Sequence, residues 1–242
     1  MLRKICTRGI RLAPVLFLSG VCGVATAADG IATGDPWEGY NRRVYVFNDT
    51  LDRKIIKPVA RTYSDYTPKP VKTGITNVFS NANDPFVTLN ALLQGKFRQA
   101  GSDLGRFLVN STVGVGGLVD WASGWGMPKH QEDFGQTLGY WGVRQGPYVM
   151  LPILGASTLR DTGGFLVDTA ANPVFYFAPA AATIPSGGVN AVDQRANLLK
   201  TDNVVQEAAL DRYQFVREAY LQKRDNLVHD GNTAFAGSED NP

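Results

Sequence analysis

The stretch GDPWEGYNRRVYVFNDTLD, Gly34–Asp52, decides the fold class. Asp35 is an N-cap residue, and Pro36 stands at the first helical position, where its missing N–H costs nothing. Trp37, Tyr40, Val44, Phe47 and Leu51 recur at helical spacing and share one face. Glu38, Arg42, Arg43 and Asp49 take the other. The period continues through Ile55, Ile56 and Val59 and stops at YTPKP, Tyr66–Pro70. It resumes with Ile75, Val78 and Phe79, is expected to break at Asn83–Pro85, and returns with Phe86, Leu89, Leu92 and Leu93 before Gly95. Phe97, Ala100, Leu104, Phe107 and Leu108 form the next stripe. Glycine-rich Thr112–Gly126 reads as a loop with a short helix near Leu118–Ala122, and residues 130–147 promise few regular elements. Leu159–Ala171, Val192–Lys200 and Asp202–Leu227 are helical in pattern. The expected class is all-α: one helical domain over 35–229, a linker at 28–34 and a disordered tail at 230–242.

Ahead of this lies an export signal. Arg3, Lys4, Arg8 and Arg11 precede an apolar run from Leu12 to Val24, and ATA at Ala25–Ala27 is a small-x-small cleavage site. Residues 1–27 are therefore expected to be removed. With those four basic residues gone, the formal charge moves from +2 to −2, which gives no reason to expect nucleic acid. Both cysteines, Cys6 and Cys22, lie in the signal, so the mature chain has no disulfide and no thiolate metal site.

Catalytic signals are weak. His130 and His229 each stand alone, and both read as solvated surface histidines. HQED at His130–Asp133 would supply a base and carboxylates to a secreted hydrolase using His130 with Glu132 and Asp133, but no thiol or G-x-S-x-G accompanies it. DFG at Asp133–Gly135 lacks its kinase partners, and GVGG at Gly114–Gly117 does not complete a phosphate loop. A structural periplasmic module is a third reading. No metal or cofactor is implied.

The apolar run in GPYVMLPILGASTLRD, Gly146–Asp161, is far shorter than the roughly 20 residues a membrane-crossing helix needs, and Pro152 and Gly155 break it. Pro173–Pro185 is a second apolar, proline-broken segment. Irregular apolar backbone of this kind fits buried loops over a helical core or else a protein sunk in one leaflet, with amphipathic helices in the interface and aromatics at headgroup level.

DPWEGYNRRVYVFNDTLD, LNALLQGK, RFLVNSTVGVGGLVD, EDFGQTLGYWGVRQGPYVMLPILGASTLRD and REAYLQKRDNLV occur in that order between Asp35 and Gly231. Together they resemble the MlaA (VacJ) family. The resemblance implies a ring-shaped helical protein in the inner leaflet of the bacterial outer membrane, with a central polar channel. Phospholipids mislocalised in the outer leaflet would pass inward through it. A trimeric porin would stand beside it, and a soluble periplasmic carrier would take the lipid. This is transport, not catalysis. The family's lipoprotein signal is displaced here: LSGVC places Leu18 four residues before Cys22, so Cys22 is expected to stay unacylated.

Under this resemblance the polar face of Asn41–Asp52 and the segment Asp133–Gly146 line the lipid path. Asn41, Asn48, Asp133 and Gln136 are its candidates, with Arg144 and Arg160 meeting lipid phosphate or else pairing with Asp161 or Glu132. Tyr148–Ala156 forms a hairpin-like gate bending at Pro152 and Gly155. Trp37, Tyr40, Phe47, Trp121, Trp125 and Trp141 are the candidates for the membrane interface.

Overall fold

A computed structural model describes residues 35–171, 180–199, 202 and 210–231, with side chains from 187 onward in the second segment. The expected signal, linker, Cys22, most of the tail and the side chains of Pro173–Pro185 lie outside the described residues.

Helix α1 (Glu38–Leu51) runs through a π-helical turn, Asp52–Ile56, into α2 (Lys57–Tyr66). Pro58 explains the turn: it has no N–H for the i→i+4 ladder, and widening the register accommodates its ring without ending the helix. At the start, the Asp35 carboxylate accepts the Trp37 N–H at 3.0 Å, as its capping role requires. Helix α3 (Lys69–Leu93) is continuous, with Pro85 inside it, so the break expected at Asn83–Pro85 does not occur. Packing overrides propensity there, because Asn81, Asp84, Thr88 and Ala91 form one buried stripe across the proline. Gly95 (φ 74°) turns the chain into α4 (Phe97–Thr112); the Gly95 and Lys96 N–H groups bond the Leu92 and Ala91 carbonyls, a Schellman closure.

A single turn, α5 (Trp121–Gly124), is capped by Asp120, and α6 (Phe134–Tyr140) by Asp133. The second corrects the expectation of few regular elements in 130–147. Its glycines, poor helix formers, are there for packing. A Cβ on Gly164 of α7 (Leu159–Ala171) would sit 2.4 Å from the Gly135 nitrogen, so the two helices touch backbone to backbone. Strands β1 (Tyr148–Leu151) and β2 (Gly155–Thr158) pair antiparallel, Tyr148 opposite Thr158 and Leu151 opposite Gly155. This hairpin is the one sheet among the described residues of an otherwise helical fold. Helix α8 (Ala180–Leu198) begins well before the expected Val192, and α9 (Arg212–Val228) is capped by Asp211.

Polarity in this fold is inverted. Among the described residues, the buried apolar side chains are four alanines, Val87, Tyr148, Met150 and Tyr213. Buried polar and charged ones outnumber them. On α4, Asp103, Arg106 and Asn110 recur at helical spacing on the buried face, while Phe97, Leu104 and Leu108 point outward. Of the stripe read from the sequence, Phe97, Leu104 and Leu108 thus lie on the outer face, while Ala100 is buried. Many inner groups bond one another: Arg106 bonds Asp120, Ser123 and the Met127 carbonyl, and Gln94 joins Glu132 to Thr137. The small apolar core gathers instead on the hairpin, where Tyr148, Met150 and Tyr213 pack with Val44, Tyr45 and Val216.

Candidate functional site

The hairpin is held to α1 by two asparagines seven residues apart, hence on one face of that helix. Asn41 donates from Nδ2 to the Tyr148 carbonyl at 3.1 Å and accepts the Met150 N–H at 2.7 Å. Asn48 repeats this farther along, donating to the Leu151 carbonyl at 2.9 Å and accepting the Ile153 N–H at 2.8 Å. Each amide acts as a fragment of a neighbouring strand on the free edge of β1. Below them, Tyr148 meets Tyr213 and Tyr220 edge to face at 6.2 Å.

The tip is unlike its base. Pro152, Ile153 and Leu154 link the strands, and Ile153 and Leu154 are 70% and 61% exposed. The Leu154 N–H bonds the Pro152 carbonyl at 2.8 Å across Ile153, whose φ is 68°. That is a γ-turn of the strained hand, on a β-branched residue that strongly disfavours it. The Asn48 bond to the Ile153 N–H helps hold it there.

Between the hairpin, α6, α7 and α9 lies a cavity of about 220 Å³. One side is apolar, with Leu151, Leu154, Ala156 and Phe165; the other carries Asp133, Asp161, Asp168 and Arg224. Arg224 donates to both Asp133 oxygens at 2.5 and 2.9 Å and to Asp161 at 2.9 Å. Arg160 adds two bonds to Asp161, and the Tyr220 hydroxyl donates a third kind at 2.9 Å. Burial opposes charge on Asp133 and Asp161, but the guanidinium groups outweigh it and hold both below the usual carboxylate range. Asp168 differs. Burial pushes its pKa up, and its bonds come from the Phe134 N–H at 2.9 Å and from Asn90 at 3.5 Å.

Asn41 is fully buried against the hairpin, while part-buried Asn48 spends its amide on the hairpin's backbone. Gln136, on the buried face of α6, donates to the Gln131 carbonyl. Asp133 is at the cavity, and Arg160 stands next to it through Asp161 rather than with its guanidinium open. Arg144 is exposed. Tyr148 is the buried base of the hairpin, while Pro152 and Gly155 (φ 89°) frame its tip. Trp37, Tyr40, Phe47, Trp121, Trp125 and Trp141 are all exposed. Of the acid–base candidates, His130 and Glu132 line one cavity with Lys96 and Gln99, but His130 bonds buried Asp103 at 2.8 Å and Glu132 binds Gln94 and Lys96; Asp133 caps α6 at the other cavity.

Sequence reasoning missed Arg224 and Asp168. Asp161, Gly164 and Asp168 share one face of an otherwise apolar helix, and that spacing was the available signal.

With this geometry in view, comparison with known proteins is informative. The family described as MlaA lipoprotein matches residues 33–227. The intermembrane phospholipid transport system lipoprotein MlaA of Escherichia coli (strain K12) is 38% identical over 212 residues, covering 86% of this chain and 83% of that protein. The protein of the same name from Haemophilus influenzae is 35% identical, covering 81% and 80%. A solved structure described under "Structural basis for maintenance of bacterial outer membrane lipid asymmetry" superposes with a TM-score of 0.73 at 38% identity. It covers 81% of this chain and 99% of its own.

Proposed function

The chain belongs to the MlaA lipoprotein family, and from that premise we propose that it moves phospholipids between membranes from a seat in the periplasmic leaflet of the outer membrane. Phospholipids that have strayed into the outer leaflet would enter a polar channel through a helical ring. They would leave unaltered to a soluble periplasmic carrier, with a porin trimer alongside. No bond is made or broken.

The observation that carries this reading is the inverted polarity. An outward face of Phe97, Leu104, Leu108, Leu89 and Leu92 is costly in water and at ease in hydrocarbon, at about 25 cal/mol per Å² transferred. No helix among the described residues is long and apolar enough to cross a membrane, which suits one leaflet. The polar interior gives a charged headgroup hydrogen-bonding partners while the tails remain in lipid. Trp37, Trp121, Trp125 and Trp141 mark the headgroup level. The hairpin serves as the gate: β1 is pinned at Asn41 and Asn48, and the tip beyond is apolar and exposed.

Replacing Phe97, Leu104 and Leu108 together with serine tests the seating. The outward face should keep its fold, because none of the three is buried, yet flotation with phospholipid vesicles should fall sharply. Undiminished flotation with restored outer-leaflet asymmetry in cells would defeat the proposal. For the gate, Gly155→Val should distort the tip, because a β-branched residue disfavours the positive φ of Gly155; normal outer-leaflet phospholipid in that variant would reduce the hairpin to scaffold.

A further inference from the structure

The cavity beneath the hairpin tip has unequal charge. Three carboxylates, Asp133, Asp161 and Asp168, face two guanidinium groups, Arg160 and Arg224, and both arginines are already engaged with Asp133 or Asp161. Asp168 is bonded by an amide N–H and an asparagine only. The polar side therefore lacks one positive charge, at Asp168. A half-buried carboxylate without a counter-ion is costly. Asp168 lines the same cavity as Asp133, Asp161 and Arg224, and the opposite wall is Leu151, Leu154 and Phe165.

A ligand that completes both features carries an ammonium for Asp168 and hydrocarbon for the wall. Building on the lipid-transport reading, we propose that this cavity holds the headgroup of an ammonium-bearing zwitterionic phospholipid and selects it over anionic headgroups. An anionic headgroup without an ammonium would add negative charge where the cluster is already short of positive charge. At about 220 Å³ the space lies below the 300–1,000 Å³ typical of sites enclosing a whole drug-sized ligand. It therefore takes the headgroup, and the acyl chains leave past Leu154 and the exposed tip. Free phosphoethanolamine esters share the headgroup chemistry, but the apolar wall favours the lipid.

The test is competitive retention. Purified protein is equilibrated with mixed micelles holding equal phosphatidylethanolamine and phosphatidylglycerol, and retained lipid is quantified by mass spectrometry. Wild type should enrich phosphatidylethanolamine roughly five- to tenfold, as one partly buried charge pair allows. Asp168→Asn should lower the ratio to about one, with lipid still retained, and Asp168→Glu should restore part of it. The asparagine keeps an acceptor for the Phe134 N–H, so its thermal unfolding should match wild type and misfolding is separable. Millimolar soluble glycerophosphoethanolamine should not displace the lipid; displacement would overturn the role of the chains. An unchanged ratio in Asp168→Asn, or a wild type that shows no preference or favours phosphatidylglycerol, would overturn the headgroup assignment and leave transport standing. A wild type that retains neither lipid would sink both readings.

Discussion

Removing the two asparagines that pin the hairpin should have unequal effects, and the inequality is the sharpest check on the packing described above. Asn41→Ala strands the Tyr148 carbonyl and the Met150 N–H, in residues only 3% and 2% exposed. Water does not reach either group, so each forfeits a partner at about 1–3 kcal/mol, and with partial relaxation the variant should lose about 2–5 kcal/mol. Asn48→Ala strands the Leu151 carbonyl and the Ile153 N–H at the exposed tip, where water substitutes, and about 1 kcal/mol is expected.

Chemical unfolding reads the first loss, and amide hydrogen exchange reads the second. At 1.4 kcal/mol per tenfold, exchange at Ile153 should quicken about fivefold in Asn48→Ala, while Met150 stays protected. Asn41→Asp is the control: it keeps an acceptor for Met150 but loses both donors and sets a second carboxylate against Asp35, which Asn41 now bonds at 3.0 Å. It should be as damaging as alanine. If Asn41→Ala unfolds within about 0.5 kcal/mol of wild type, or Ile153 exchange does not change in Asn48→Ala, the clamp is incidental to the fold.

Three further outcomes are expected. Ile153→Gly should stabilise the tip by about 1 kcal/mol by relieving the positive φ, yet weaken lipid handling by removing the most exposed apolar side chain of the tip; a loss of stability would show that the turn is not strained. Gly164→Ala drives a Cβ to within 2.4 Å of the Gly135 backbone, and a shift of α6 from α7 should cost about 3 kcal/mol or abolish soluble expression, whereas Gly163→Ala, with open space, should be neutral. Burial works against charge on Asp120, but hydrogen bonds from Ser123 and Asn110 with the nearby Arg106 hold its pKa at about 2. The charged form is thus favoured on folding: its stabilisation is present above pH ~4 and lost as pH falls toward 2, and at about 1–2 kcal/mol after allowance for partial exposure it should vanish in Asp120→Asn acid-unfolding curves.

The helices were legible because a period of 3.6 survives whichever side of a helix faces inward. What the period does not give is the sign. Phe97, Leu104 and Leu108 mark a face, and only their relation to Asp103, Arg106 and Asn110 tells that the polar face is the buried one. Pro85 and the glycines of α6 misled for a related reason: local propensity predicts a break, and burial of the stripe around Pro85, or backbone contact of α6 with α7, outweighs it. The hairpin was legible as a bend, from Pro152 and Gly155, while its anchors were not. Asn41 and Asn48 read as a polar helix face, and their partners lie more than 100 residues away. Arg224 and Asp168 were hidden likewise, since a cavity wall assembled from α6, α7 and α9 has no contiguous signature.

Inverted polarity also bears on which element is free to move. Most of the interior is held by directional contacts, such as Arg106 on Asp120 or Arg224 between two aspartates, and displacing any of them leaves buried charge exposed to no partner. Apolar contacts carry no such requirement; they slide at the cost of area alone. The one apolar cluster among the described residues underlies the hairpin, and the hairpin's directional ties to α1 are confined to Asn41 and Asn48. An element that is to shift while a charged framework stays rigid is therefore best built as this one is: an apolar base, an exposed apolar tip, and two clamps. The weaker clamp, Asn48, stands next to the strained residue. Opening should accordingly begin at Ile153 and proceed toward Tyr148, releasing Leu154 from the cavity wall before the buried Asn41 bonds are disturbed.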